Sequence, residues 1–476
     1  MSEKTTRQQP YALQKPTFTL RNTSFLALAF FVIFFFYILP TPDGLTYSGK
    51  MMIGILIMGA ILWITEPIPL PITGILIMII QPLLGVQTIS AVFSSFGNQA
   101  VFFLIGAFML ATAIEKYGIH KRIALRFLSY FGKNPRSFTF GIMVSCAFLS
   151  FIMPEHGVAA FFLPIATTIL IATKVIPKQS NFGKISMLSV AYGCSIGSLG
   201  TLIGGARNPL TIEILSEAGY NVSFFEWMLY AMPVVLICLP LVWLVLQFVF
   251  PIELKDITNA KKAIDEQVKT QGKIMKKETL VISIFLLTIL LWVFFSEMLG
   301  LAVIALLGSI LLFITKSISW EDVEQHLPWG IILLYGGAIT LGVGMNATGA
   351  GEWIANLLIS TVGGNGLLVI FVLIIVTVLL TNFMSNIGAV AILLPIAFAI
   401  ATEIPGVSPV LASMVVALSG GLAFMLVIAT PGNAITYSSG YYSTRDLLKS
   451  GSLANILCIV IIFIVAIVYW QGILQI

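Results

Sequence analysis

The chain has 476 residues, of which 58% are hydrophobic and only 9% are charged, and its formal net charge is +5. A soluble domain carries about 25% charged residues, so this composition excludes a soluble fold and predicts a protein that lies in a membrane. The basic residues lie between apolar segments, as in the loops of membrane proteins, and we expect no nucleic-acid partner.

Apolar segments recur along the whole chain, and a membrane-spanning helix needs about 20 mostly apolar residues. Eleven of these segments are uninterrupted: 25–39, 51–64, 68–84, 101–114, 187–202, 229–249, 280–295, 299–314, 330–345, 410–427 and 453–469. The first has no small-residue cleavage site, so we expect a retained helix rather than a signal peptide. Two further segments, 138–172 and 367–401, have a polar cluster in the middle. Each forms either two spans or a re-entrant hairpin.

The distribution of basic residues decides between these alternatives. If both interrupted segments are hairpins and the N-terminus is cytoplasmic, five loops that contain Lys or Arg lie inside: 1–22, 121–136, 174–184, 251–278 and 445–449. Three predicted outer loops contain no Lys or Arg: 216–227, 346–366 and 402–408. The predicted fold is therefore an all-α membrane protein with about eleven transmembrane helices and two re-entrant hairpins, and its C-terminus lies outside.

The polar linker 251–278 divides the chain into two related halves, 23–250 and 279–476. A shift of 231 positions aligns residues 153–166 with residues 384–397, where seven of fourteen residues are identical. Under the predicted topology each repeat has an odd number of spans, so the two repeats run in opposite directions. Inverted repeats place substrate and ion sites near the membrane midplane, where helices are broken.

Four polar interruptions form two corresponding pairs. They are the hairpin tips 154–157 and 385–388, and the breaks 203–209 and 428–433 in the predicted broken helices 187–215 and 410–440. Broken helices present N–H groups to an anion and carbonyl groups to a cation, so we predict an anion pocket where the four interruptions meet. In the alternative interpretation each break is a kink, Asn386 and Asn433 hold helices together, and Ser385 bonds its own backbone.

Three ionisable residues lie in the interruptions of the first repeat: Glu155, His156 and Arg207. Ionisable groups at membrane depth are costly, and they are functional by default. We expect these three to neutralise one another, and the alternative is a structural salt bridge without substrate contact. Glu66 is expected at the membrane interface, and His120 and His326 in solvent. We find no metal-ligand pair, nucleophile–base pair or phosphate loop, so an enzyme is a remote alternative and we expect no cofactor.

Four motifs resemble those of the divalent anion/sodium symporter family: residues 63–71 (WITEPIPLP), 381–386 (TNFMSN), 393–396 (LLPI) and 423–434 (AFMLVIATPGNA). The resemblance covers nearly the whole chain. It implies transport of di- or tricarboxylates, or in some members of sulfate, by a homodimer that works through an elevator motion. We expect the inner cell membrane, because the sequence shows no transit peptide. In that family Ser-Asn-Thr motifs in both hairpins bind the substrate carboxylates, and the hairpin tips and broken helices form two sodium sites.

The resemblance transfers roles to specific residues of this chain. The implied substrate-binding residues are Ser385, Asn386, Ile387, His156, Gly157, Arg207, Thr430 and Pro431. A residual cation site would comprise Thr381, Asn386, Ala429 and Asn433. The sequence departs from the family pattern in three places: Ile387 replaces Thr, Pro154-Glu155-His156 replaces the first Ser-Asn-Thr motif, and Ala206-Arg207 stands in the first break.

These departures suggest that fixed charge replaces the first sodium ion. Arg207 and protonated His156 would supply positive charge, and Glu155 would balance Arg207 in the empty pocket. A fixed charge cannot leave with the substrate, so return of the empty pocket would be slow. We therefore expect a sodium-independent dicarboxylate antiporter. The alternative is a symporter coupled to sodium or to protons, with His156 as a proton carrier.

Overall fold

The computed structural model describes residues 20–131, 134–362 and 365–476. Most of the predicted cytoplasmic segment 1–22 therefore lies outside the described residues. The helices are α1 (Leu20–Ile38), α2 (Tyr47–Thr65), α3 (Leu70–Leu83), α4 (Ile89–Phe96), α5 (Gln99–Lys116), α6 (Ile119–Ser129), α7 (Pro135–Leu149), α8 (Glu155–Ala172), α9 (Asn181–Gly197), α10 (Arg207–Glu217), α11 (Phe224–Val249), α12 (Thr258–Thr270), α13 (Lys276–Leu299), α14 (Leu301–Ile314), α15 (Trp320–His326), α16 (Trp329–Ala347), α17 (Ala350–Val362), α18 (Gly366–Phe383), α19 (Asn386–Glu403), α20 (Pro409–Ser419), α21 (Pro431–Tyr437) and α22 (Thr444–Ile464), which continues as a π-helical segment (Val465–Leu474).

The predicted all-helical membrane fold is confirmed. Within the described residues, ten helices are long and apolar enough to cross a membrane, and four shorter helices are also apolar. No strand occurs in the part of the chain that the structure describes.

The two interrupted segments each form a pair of helices with a short tip. Helix α7 ends at Leu149 and α8 begins at Glu155, directly after Pro154. Proline suits this position because it lacks an N–H group and has a fixed φ. Helix α18 ends at Phe383 and α19 begins at Asn386. Because both tips are sharp, the first turns of α8 and α19 lie inside the protein rather than in a surface loop.

The two halves are interlocked through their broken helices. The half-helix α10 of the first repeat packs against α19 and α20 of the second repeat, and α21 of the second repeat packs against α8 and α9 of the first. The break between α9 and α10 therefore lies beside the second hairpin, and the break between α20 and α21 lies beside the first.

Glycines at corresponding positions have the same role in both halves, which is consistent with the repeat. Gly106 of α5 packs against Ala305 and Gly337 of α16 packs against the backbone of Gly74, so closely that a Cβ atom would clash in either place. After the same two helices, Gly118 and Gly349 both have positive φ, 62° and 70°. Other residues rarely adopt this backbone conformation.

The predicted linker 251–278 contains a helix of its own, α12, which packs against α6 and α8. The Arg122 side chain of α6 fixes the position of the end of the linker, because it pairs with Glu278 at 3.1 Å and donates to the carbonyl of Gly272 at 2.9 Å.

The prediction that His120 is solvated was wrong. Its ring is buried against Phe161, with Nδ1 3.3 Å from a backbone carbonyl. His326 is exposed, as expected.

Candidate functional site

A cavity of about 490 Å³ lies where the two hairpin tips and the two helix breaks meet. Seven of the eight predicted substrate-binding residues line it: Ser385, Asn386, Ile387, His156, Arg207, Thr430 and Pro431. Gly157 does not, because it lies one position further into α8, where its N–H group donates to the carbonyl of Pro154 at 3.0 Å. The other side of the cavity is lined by residues from the ends of α2 and α16 and by the middle of α5. The geometry thus brings the four interruptions together.

A second cavity, of about 590 Å³, lies between α5, α10 and α13. Its walls include the carboxylates of Glu213 and Glu297 and no Lys or Arg. Since those charges repel anions, this cavity does not suit the predicted substrate.

Arg207 is the principal cation of the site. Its side chain is only 2% exposed, and its Nη2 atom donates to Ser198 Oγ at 2.8 Å. Its Nε atom is buried and has no hydrogen-bond partner among the described residues. A buried guanidinium with an unused donor is costly unless an anion completes its hydrogen bonding.

Ser198 lies between Arg207 and Glu155. Its hydroxyl accepts from Arg207 and donates either to Glu155 Oε2 at 3.0 Å or to the carbonyl of Ser195 at 2.7 Å. None of the ion pairs within the described residues joins Glu155 directly to Arg207. The contact between Glu155 and Arg207 therefore runs through Ser198, which was not among the predicted site residues. Its contact with both residues arises only from the fold of the break.

In each break, an asparagine of the half-helix that follows donates hydrogen bonds to carbonyl groups of the chain before the break. Asn208 Nδ2 donates to the carbonyls of Ser198 and Thr201, at 2.8 and 2.7 Å. Asn433 Nδ2 donates to the carbonyls of Ala423 and Leu426, both at 2.9 Å. In both cases the acceptors lie ten and seven residues earlier in the chain. Asn433 thus donates hydrogen bonds to two backbone carbonyls that the break leaves without a helical partner. This supports the alternative that Asn433 holds helices together.

The predicted residual cation site is only partly assembled around Thr381. Its Oγ1 atom lies 2.8 Å from Asn386 Oδ1 and 2.7 Å from the carbonyl oxygen of Gly420. One hydroxyl proton cannot serve both oxygens at once, and a cluster of three oxygens fits a hard cation such as sodium. Gly420 was not predicted to take part. Ala429 lines the cavity instead, and the amide nitrogen of Asn433 is committed to the break.

Glu66 is a further residue of the cavity that the sequence analysis did not place there. It lies directly after α2, with a positive φ of 46°, and lines the cavity together with Glu155 and Arg207. The cavity therefore contains two carboxylates and one guanidinium, with His156 as a titratable fourth group. The sequence analysis counted Arg207, Glu155 and protonated His156 and did not include Glu66 in this set.

Curated relatives are similar to this chain over most of its length. The curated relatives include the "sodium-dependent dicarboxylate transporter SdcS" of Staphylococcus saprophyticus, 30% identical over 89% of this chain and 86% of that protein. The protein of the same name from Staphylococcus aureus strain USA300 is 31% identical with the same coverage.

Two solved structures show a related fold. The chain resembles Neisseria gonorrhoeae MtrF, described among antimetabolite efflux pumps, with a TM-score of 0.57 and 13% identity over 94% of this chain and 95% of that one. It also resembles the Alcanivorax borkumensis YdaH transporter, with a TM-score of 0.56 and 11% identity over 81% of this chain and 88% of that one. At these identities the likeness concerns the fold alone.

The profile of the family described as "Sodium:sulfate symporter transmembrane region" matches residues 20–476, which is every residue beyond the N-terminal segment. Together with relatives that are 30% identical over most of both chains, this match shows that the protein is a multi-pass membrane transporter that belongs to the sodium:sulfate symporter family.

Proposed function

We propose that this protein is a secondary transporter that carries dicarboxylate anions across a cell membrane. The observation that carries the proposal is Arg207, which lines the cavity and whose guanidinium has a buried Nε donor without a partner among the described residues. A charge-assisted hydrogen bond to a carboxylate would satisfy that donor. The names of the relatives from Staphylococcus support the same substrate class.

The two hairpins provide a second set of anion contacts. Helices α8 and α19 both begin at the cavity, and the N–H groups of a first helical turn have no partner within the helix. Ser385 does not bond its own backbone as an N-cap, so its hydroxyl is available to the cavity. In the proposed complex one carboxylate contacts the start of α19 and the other contacts Arg207 and the start of α8.

The charges in the cavity favour coupling to a cation. Glu66 and Glu155 outweigh Arg207, so a bound dianion leaves the site strongly negative unless cations enter with it. Carrying that charge through a low-dielectric barrier would be costly. The oxygen cluster at Thr381, Asn386 and Gly420 is a suitable place for one sodium ion. We therefore favour sodium-coupled symport, with a proton on His156 as a further contribution.

Sodium-independent exchange is the second candidate, and Arg207 favours it. The guanidinium stands in the first break and cannot dissociate with the substrate, so an empty carrier would return slowly. In either case we propose an elevator motion of the interlocked hairpins and broken helices, in a homodimer with a cytoplasmic N-terminus and an external C-terminus in the inner cell membrane.

Reconstituted vesicles separate the two candidates. Symport predicts that an inward sodium gradient drives labelled succinate into vesicles that contain no substrate. Exchange predicts uptake only when the vesicles contain unlabelled succinate, and no effect of sodium. A sodium gradient that drives no net uptake, together with rapid exchange, would contradict symport.

A further inference from the structure

The turn that carries Glu66 is held in a fixed position beside the second hairpin. Pro67, Pro69 and Pro71 follow Glu66 and restrict the backbone. The indole of Trp63 donates to the carbonyl of Leu70 at 3.3 Å across this turn. Trp63 also packs beneath the first turn of α19, since a Cβ on Gly388 would lie 3.7 Å from its Cβ. The turn therefore holds Glu66, an exposed residue at the end of α2, in a cavity lining that also includes Ser385 and Asn386.

Glu66 has an unusual backbone conformation for a residue with a side chain. A positive φ of 46° is uncommon for a residue with a side chain, and here it ends α2 at the cavity. A glycine, or a polar residue such as asparagine, would adopt this conformation with less strain. A carboxylate in the wall of an anion site repels any negative charge that comes near it.

We propose that Glu66 sets the charge selectivity of the transporter, so that dianions are accepted and trianions are excluded. This inference rests on the proposed function. Size alone does not exclude a tricarboxylate, because a cavity of about 490 Å³ is large compared with either kind of substrate. Two carboxylates of the substrate can face Arg207 and the helix starts. A third carboxylate then has no cation of its own, because Arg207 is the one Lys or Arg among the described residues that line the cavity, and the other charged groups there are Glu66 and Glu155.

Glutarate and tricarballylate test this directly, because they share a five-carbon chain and differ by one carboxylate. The measurement is inhibition of labelled succinate uptake by each compound, in vesicles at a pH where all carboxylates are ionised. For the wild type we expect tricarballylate to inhibit at least about tenfold more weakly than glutarate, which corresponds to about 1.4 kcal/mol. In Glu66→Gln both compounds should inhibit more strongly, and the gain should be larger for tricarballylate, so that the two become similar. Glu403→Gln, an exposed glutamate at the far end of α19, should keep the wild-type ratio.

Equal inhibition by the two compounds in the wild type would overturn the inference, as would an unchanged ratio in Glu66→Gln. Glu66→Asn is a second neutral variant that suits a positive φ, and it decides the outcome if the glutamine variant does not fold. If the wild type takes up no succinate at all, the proposed function itself fails, and this inference fails with it. If succinate uptake is normal and only the ratio disagrees, the proposed function stands and the role of Glu66 is refuted.

Discussion

The guanidinium of Arg207 occupies the space that a side chain on Gly421 would fill. A Cβ atom on Gly421 would lie 2.2 Å from Arg207 Nη2, and a Cβ on Gly205 would lie 2.8 Å from Nη1. The guanidinium is thus enclosed by a glycine from each broken helix. This explains how a cation fits between two breaks that come from different repeats.

Gly421→Ala should displace the guanidinium and weaken anion binding. A lost hydrogen bond to a charged group costs about 1.5–3 kcal/mol, which is roughly a tenfold or greater rise in the half-saturating substrate concentration. Kinetics of labelled succinate uptake measure this rise. Gly97→Ala is the control, because this glycine follows α4 away from the cavity and a Cβ there meets only the carbonyl oxygen of Ser94 at 3.4 Å. Unchanged substrate affinity in Gly421→Ala would show that the guanidinium does not need its present position.

Ser198→Ala should separate Glu155 from Arg207. Without the hydroxyl, Arg207 Nη2 loses its acceptor and the two charges are no longer linked. We expect a loss of substrate affinity of about tenfold, since the hydrogen bond that positions the guanidinium is removed. Ser189→Ala is the control, as this buried hydroxyl of α9 has no hydrogen-bond partner within the described part of the chain. If both variants bind succinate equally well, Ser198 has no part in the site.

Thr381→Val should weaken the dependence of transport on sodium. The change removes the oxygen that lies between Asn386 and Gly420 and conserves the shape of the side chain. Loss of one oxygen ligand from three should raise the half-saturating sodium concentration by about tenfold or more. Thr377→Val is the matched control one turn earlier in α18, where the hydroxyl only donates to the carbonyl of Leu373. Equal sodium dependence in both variants would place the coupling ion elsewhere.

Asn208→Ala and Asn433→Ala should both destabilise the protein. Each change leaves two buried carbonyls of a break without their donor, at a cost of about 1–3 kcal/mol per group. Thermal unfolding in detergent should therefore occur at a lower temperature for both variants, by similar amounts. Asn455→Ala is the control, because this buried amide of α22 has no partner among the described residues. A similar midpoint for all three variants would mean that the breaks do not depend on these amides.

The hairpins could be predicted from the sequence because their tips are polar clusters inside apolar segments. Residues 154–157 and 385–388 interrupt the apolar pattern at equivalent places of an ungapped repeat. Arg207 could be selected for a similar reason, as a charge at membrane depth. Composition and local pattern are sufficient for both.

The partners of these residues could not be predicted in the same way. Ser198 and Gly421 are ordinary residues for a membrane helix. The fold of the break brings Ser198 to Arg207, and the packing of α10 against α20 brings Gly421 there. The repeat is offset by 231 residues at the hairpins but by 225 at Asn208 and Asn433, so an ungapped comparison misses the equivalence of the two amides. Glu66 looks interfacial in sequence because its turn lies between two spans, and its place in the cavity is a tertiary contact.

The most direct test of the account is uptake of labelled succinate by the wild type and Arg207→Ala in vesicles with an inward sodium gradient. We predict saturable uptake by the wild type, competed by unlabelled succinate, and no uptake above protein-free vesicles for Arg207→Ala. Thermal unfolding in detergent should show that the variant is folded. Wild-type vesicles that accumulate no succinate, or an Arg207→Ala variant that transports as well as the wild type, would contradict the account.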